Sequence, residues 1–253
     1  MRGAVIATTF MLFMGASVSA RQSLPNSKPS VAIEVATVNP SKPETQDELF
    51  TIRGRHMLTL NTSTEDLIRY AYNLHPTQLV SVPAALGKAK FDLDALSNLP
   101  GVPTNEQMRL AMQVILADRF KLKFHLETRT IAVLILSVAA SGPKMAITKR
   151  QPSDQTDFYG SNGELNVNNA SMQDFANGLS RGLVARPVLD ETKLSGHYDF
   201  VIRWKEEGVT PDTADVRPGF STAVQEQLGL KLSPSKAGMP VLVVESIQPP
   251  THD

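Results

Sequence analysis

The side chains with the most chemistry to offer here are histidines and carboxylates placed two apart. His125 is followed by Glu127, and His197 by Asp199. On a strand, residues two apart share a face, so each pair could offer two ligands to a divalent cation. A metal site needs a third ligand converging from elsewhere, and by spacing alone both pairs read as solvent-facing polar positions. The remaining histidines are His56, His75 and His252, the last in a terminal tail. Asp190-Glu191-Thr192 has the start of an aspartic-protease or phosphorylated-aspartate motif, but the glycine those motifs need next is Lys193. It reads instead as a turn in which Asp190 and Thr192 bond local backbone, with Gly196 ending the turn where a positive φ is required. Asp118-Arg119 falls at a helix-to-strand junction and reads as a structural contact. Tyr198, Phe200 and Trp204 alternate onto one strand face, which favours core over a sugar-stacking platform. There is no G-x-S-x-G, H-E-x-x-H, P-loop or G-x-G-x-x-G motif. No catalytic residue is assigned, and neither a cofactor nor a metal is expected.

The elements that must position these residues begin with an export signal. Arg2 supplies a positive start, Ala4 to Val18 carry no charge, and Val18-Ser19-Ala20 ends in small residues. That pattern predicts a secretory signal peptide cleaved after Ala20, with residues 21–30 a flexible mature start. The apolar run is shorter than the ~20 residues a spanning helix needs, and no later run reaches that length. The chain has no cysteine, so an exported fold must rest on its own core. Lys plus Arg and Asp plus Glu are 25 each; losing Arg2 leaves 24 against 25, a net charge of −1. A near-neutral surface gives no reason to expect nucleic acid or an anionic membrane as partner.

Hydrophobic spacing predicts an α+β fold. Leu67, Tyr70, Ala71 and Leu74 make one helical face, capped by Ser63 or Thr64. Gln78 to Val82 and Lys90 to Leu96 read as strands. Thr104, with Gln107 three residues on, forms a capping box for a second helix. Leu122, Phe124 and Leu126 start a strand that turns at Glu127 to Thr130 into the apolar strand Ile131 to Val138. Shifting the chain by 108 positions repeats this order: Ser63 falls on Ser171, Leu86 on Leu194, and Val133 on Val241. The second set gives a helix at Met172 to Leu179, strands at Arg186 to Leu189 and His197 to Trp204, and a helix from Phe220 to Leu228. Gly229 is its αL cap, and a hairpin from Leu230 closes with Val241 to Ser246. Asp118-Arg119 meets Glu226-Gln227. The expectation is an internal duplication: two helix-strand-strand-helix-strand-strand units, 31–147 and 158–253, joined by a linker at 148–157. Helices pack on small, mostly antiparallel sheets. Val31 to Val38 and Phe50 to Leu60 add strands before the first unit, and segments 39–48, 144–157 and 205–219 read as loops.

Several stretches carry a family resemblance. They are Ile33-Glu34-Val35-Ala36-Thr37-Val38-Asn39-Pro40-Ser41, Leu116-Ala117-Asp118-Arg119-Phe120-Lys121-Leu122-Lys123-Phe124-His125, Gly142-Pro143-Lys144, Pro187-Val188-Leu189-Asp190-Glu191-Thr192, Gly196-His197-Tyr198-Asp199-Phe200 and Gln225-Glu226-Gln227-Leu228-Gly229-Leu230-Lys231-Leu232. The chain resembles the uncharacterised secreted family, a domain of unknown function, that is expanded in acidobacterial soil bacteria. It departs at Lys193, where that family has glycine, and at Pro83-Ala84-Ala85-Leu86, where a Pro-x-Trp-like turn is common. Its element order is also similar to the short N-terminal domains of secretins and TonB-dependent receptors. The resemblance implies export and no assigned activity. The expected function is a non-enzymatic envelope or extracellular binding module, engaging another envelope protein through an exposed strand edge. The alternative is an exported hydrolase using carboxylates or histidines in a cleft between the units.

Overall fold

The computed structural model describes residues 33–42, 48–98, 103–152, 154–206 and 216–250. The cleavage point after Ala20, the 21–30 segment and His252 lie outside them. Strand β1 (Ile33–Pro40) is followed by β2 (Leu49–Arg53) and β3 (His56–Ser63), then helix α1 (Thr64–Tyr72). A 3₁₀ turn at Pro76–Gln78 leads into β4 (Leu79–Val80), the short helix α2 (Ala84–Gly87), β5 (Lys90–Ser97), helix α3 (Asn105–Asp118) and β6 (Lys123–Val138). The order continues with β7 (Ala146–Ile147), β8 (Asp157–Tyr159), β9 (Glu164–Ala170), helix α4 (Met172–Ser180), β10 (Val188–Asp190), β11 (Tyr198–Arg203), helix α5 (Phe220–Leu228) and β12 (Leu230–Ser246). This is an α+β arrangement with mostly antiparallel sheets.

The helix starts are where side-chain oxygens can take orphan amide hydrogens. Ser63 Oγ accepts from Asp66 N (3.1 Å) and Ser171 Oγ from Asp174 N (3.1 Å). Thr104 Oγ1 accepts from Gln107 N while Gln107 Oε1 accepts from Thr104 N, the reciprocal pair of a capping box. Helix α5 ends at Gly229, whose φ of +66° places it in the left-handed region.

Among the described residues, three four-stranded sheets form, in the orders β1-β5-β3-β2, β10-β6-β12-β4 and β7-β11-β9-β8. The first and third are antiparallel throughout. The second is assembled from both ends of the chain. β6 and β12 run antiparallel along their whole length, from Leu230 opposite Val138 to Ser246 opposite Lys123, while β10 lies parallel to β6 and β4 parallel to β12. Two corrections follow. Glu127 to Thr130 is not a turn: those residues lie inside β6 and pair with Val241 to Gly238. No glycine, asparagine or proline there supplies the dihedrals of a tight hairpin. Leu230 to Ser246 is likewise one strand rather than a hairpin. Pro234 and Pro240 are tolerated because, among the described residues, β12 has an outer neighbour only at Leu242 and Val243, so a missing N–H breaks no second ladder.

Residues 31–253 form one compact unit, with two hydrophobic clusters inside it. The first packs Met57, Leu67, Ile68, Met112, Leu116 and Phe120 with Leu242 and Val244 from β12. The second packs Val167, Phe175, Leu179, Ile202 and Leu228 with Leu136 from β6 and Leu230 from β12. The first cluster therefore joins early strands to β12, while the second is built from residues between Leu134 and Leu232, from β6 to the start of β12. Among the described residues, no helix is long and apolar enough to cross a membrane.

Candidate functional site

A cleft of about 470 Å³ opens between the first turns of α3 and the outer face of α4. Pro152, Asp154, Gln155, Thr156, Phe158 and His197 complete its walls. Thr104, Asn105, Glu106 and Arg109 come from α3 and its cap; Asp174, Asn177 and Arg181 come from α4 and its C-cap. Phe158 lies against α4 because residue 178 is glycine: a Cβ there would meet the ring at 3.0 Å.

One wall is gathered by Asn169, which is fully buried and left-handed (φ +53°). Its N–H donates to Asp199 Oδ1 (2.8 Å), and its Nδ2 donates to the carbonyls of Gln151 (3.0 Å) and Asp154 (2.8 Å). Its own carbonyl accepts from Thr156 Oγ1 (2.8 Å) and from His197 Nδ1 (3.0 Å). A carbonyl only accepts, so Nδ1 carries the proton, and Nε2 of the neutral ring is left as an acceptor. Asn61 has the matching geometry on β3, with φ +52° and its N–H donating to Asp92 Oδ1 (2.8 Å). Sequence reasoning missed both asparagines. The signal was present as Asn-x-Ser-x-x-Asp, Asn61 to Asp66 and Asn169 to Asp174, since asparagine tolerates the left-handed region.

The charges of the cleft are unequally committed. Asp174 Oδ2 accepts from the amide (3.1 Å) and hydroxyl (2.6 Å) of Ser171, and Asp154 Oδ2 accepts from Gln151 N (2.9 Å). Arg109 and Arg181 have no ion pair among the described residues. Crowding by surrounding atoms, then the charge of Arg109, hold the Arg181 guanidinium below the usual arginine range, although much of its surface stays open. Tyr70 is close enough to feel both arginines. Burial pushes its phenol up, the two positive charges oppose that, and its hydroxyl is buried without a hydrogen-bond partner.

The other singled-out residues are dispersed. His125 lies on the exposed face of β6, between two carboxylates: Nδ1 meets Glu245 Oε1 at 2.9 Å and Nε2 meets Glu127 Oε1 at 3.1 Å. A ring wedged between the carboxylates keeps the three from converging on one point, and among the described residues no group of three or more His, Asp or Glu is placed to hold a metal ion. His56 pairs with Asp94 (3.0 Å) across β3 and β5. His75 caps the 3₁₀ turn, and burial pushes its imidazole below 6.5. Asp118 is exposed at the end of α3, while Arg119 reaches the Ala36 carbonyl of β1 (3.0 Å). Gln227 likewise grips the Arg203 backbone on β11 from the end of α5, accepting from its N–H (3.0 Å) and donating to its carbonyl (2.6 Å). Asp190 Oδ1 accepts from Thr192 N (2.9 Å) and Oγ1 (2.7 Å), and Gly196 has φ +107°. Trp204 and Tyr198 are buried in the second cluster, with Trp204 edge-on to Phe220 at 5.1 Å.

Two predictions arise here. The His125 imidazole is held above 6.5 by its bonds to Glu127 and then Glu245, and Glu127 is held below 4.5 chiefly by His125. A raised histidine stabilises the fold fully below 6.5 and loses that contribution as pH climbs through its folded value; a lowered carboxylate does so above 4.5 and loses it as pH falls. The stabilisation is therefore largest between about 4.5 and 6.5. In His125→Gln, the wild-type fall in Tm from pH 6 to pH 8 should shrink; an unchanged slope would show that the cluster contributes nothing. Lys193 is exposed and left-handed (φ +59°). Glycine relieves that strain at some cost in unfolded-state entropy, so Lys193→Gly should stabilise by roughly 0.5–1 kcal/mol, read as a higher urea midpoint.

No curated protein and no solved structure matches the chain. Residues 65–247 match the family model described as protein of unknown function (DUF3738), and the chain, more than half of which that match covers, belongs to this family.

Proposed function

We propose that the chain is an exported, non-enzymatic binding module whose ligand site is the cleft between α3 and α4. The observation that carries this is the two arginines: Arg109 and Arg181 line a cleft of ligand size, and neither makes an ion pair among the described residues, although the charge of Asp174 reaches Arg181. Asp154, Asp174 and Nδ1 of His197 are already bonded to backbone groups or a helix cap. Export is supported by the charged start, short apolar run and small residues of positions 1–20. A second contact surface is the outer edge of β2, where Leu49 and Phe50 stand partly exposed beside a ladder that no strand pairs among the described residues.

The two halves are read as copies of one unit. Supporting this, α1 and α4 differ by 108 positions at both ends, and the left-handed asparagines Asn61 and Asn169 and the capping serines Ser63 and Ser171 share that offset. The orders β1-β5-β3-β2 and β7-β11-β9-β8 also correspond strand for strand. In a crystal structure, residues 60–140 should superpose on 168–248 with matching element order; a different strand pairing would refute the copies.

The rival reading, an exported hydrolase, is favoured by one observation: Glu106, Asp154, Asp174 and His197 share the cleft. The deciding experiment titrates the purified protein with carboxylates, phosphates, sugars, amino acids and short peptides, following thermal shift and turnover together. Saturable binding without turnover, weakened in Arg109→Gln, supports the binding module. Turnover, or no binding by any probe, overturns it.

A further inference from the structure

From the sorting of donors and acceptors in the cleft, we infer that its ligand is a zwitterion of short-peptide size, with its carboxylate on Arg109 and Arg181 and its amino group on Glu106 and His197. This rests on the cleft being a binding site and names what it takes. The two guanidinium groups present only donors and carry no partner among the described residues, which is the chemistry that recognises a carboxylate, bidentately where geometry allows. A purely anionic ligand is disfavoured by the rest of the lining, because Glu106, Asp154 and Asp174 outnumber the arginines. Glu106 has no hydrogen bond or ion pair among the described residues, so its carboxylate is available. His197 adds a second acceptor: with Nδ1–H given to the Asn169 carbonyl, Nε2 of the neutral ring can only accept. Unpartnered donors and unpartnered acceptors therefore meet in one cleft, and a molecule with a carboxylate at one end and an ammonium at the other satisfies both. Phe158, Pro103 and Pro152 supply apolar wall in the same cleft, as side chains of a peptide would require. The volume of about 470 Å³ falls in the range of small-molecule sites.

The test is calorimetric titration of the whole purified protein with trialanine, trialanine amide and N-acetyl-trialanine. Trialanine should bind, and amidation should weaken it about tenfold or more, the size of a lost charge-assisted bond. Arg181→Gln should weaken trialanine by a similar factor and leave the amide unchanged, and Glu106→Gln should do the same toward the N-acetyl form. Melting curves of both variants, whose changes lie at the cleft surface, show that folding is intact. Equal affinity for all three peptides, or tighter binding of an uncharged sugar or of inorganic phosphate, overturns the zwitterion while leaving a ligand-binding cleft in place. Absence of binding by every probe overturns both.

Discussion

Alanine at Gly229 is expected to lower the unfolding free energy by about 3 kcal/mol or more, among the largest effects a single added methyl group can have here. The residue ends α5 in the left-handed region, where a Cβ alone costs roughly 1–2 kcal/mol. That Cβ would also stand 1.9 Å from the Gly142 carbonyl oxygen and 2.9 Å from its carbon. Neither atom can swing away as a side-chain end could. The segment is pinned by Ala139 N donating to Gly229 O (2.9 Å) and Lys144 N donating to Leu228 O (2.9 Å). The Lys144 ammonium adds a bond to the Glu226 carbonyl (2.7 Å). Relief requires breaking the closure between the end of β6 and the start of β12. Urea denaturation of Gly229→Ala measures the loss, with Gly182→Ala as control: nothing lies within 4 Å of a Cβ there, so that change should stay within about 0.5 kcal/mol. Equal stability of the two variants would show that the junction is slack.

Asn169→Ala is expected to cost about 3 kcal/mol and to loosen the cleft as well. Truncation removes the donor from two carbonyls, those of Gln151 and Asp154, that now accept from Nδ2 in part-buried bonds, each worth about 0.5–1.5 kcal/mol. It also places a Cβ-bearing residue without asparagine's local compensation at φ +53°. Asn169→Gly separates the contributions, because glycine keeps the backbone conformation at no steric cost and loses only the side-chain bonds. The alanine variant should therefore be the less stable of the two by roughly 1 kcal/mol. Both should free Gln151 and Asp154 from Asn169, so ligand affinity at the cleft falls in parallel with stability. If the glycine variant matches wild type, the Nδ2 bonds contribute nothing.

Helix α3 was legible because its stripe and its capping box are local: Thr104, Gln107, Met108, Met112 and Leu116 lie within four turns. Helix α5 was legible at Gly229 for the same reason, and β5 from its alternation. The pairing of β6 with β12 was not. Periodicity tells which face of a strand is buried and is silent about its neighbour, so the apolar pattern around Glu127 to Thr130 suited a hairpin as well as a straight strand. The cleft was illegible for a related reason. Glu106, Arg109 and Arg181 are single polar positions on amphipathic helices, indistinguishable from a solvated face until α3 and α4 are brought side by side. His197 was weighed as a metal ligand; it does reach the cleft, but it is oriented by the Asn169 carbonyl, a backbone group that side-chain spacing cannot reveal.

The exchange of long strands sets the order in which the molecule can be completed. Val138 must wait for Leu230, and Lys123 for Ser246, partners about a hundred positions apart whose loop must close before any bond rewards it. The first hydrophobic cluster lacks Leu242 and Val244 until the last strand arrives, and the second lacks Leu230. A chain emerging from its N-terminus can form α1, α3 and the β1-β5-β3-β2 sheet early, yet neither cluster closes until the C-terminal strand is free. Pairing of β12 with β6, rather than formation of either half, is the step expected to make folding cooperative, and until then the long edge of β6 stands open to unwanted pairing.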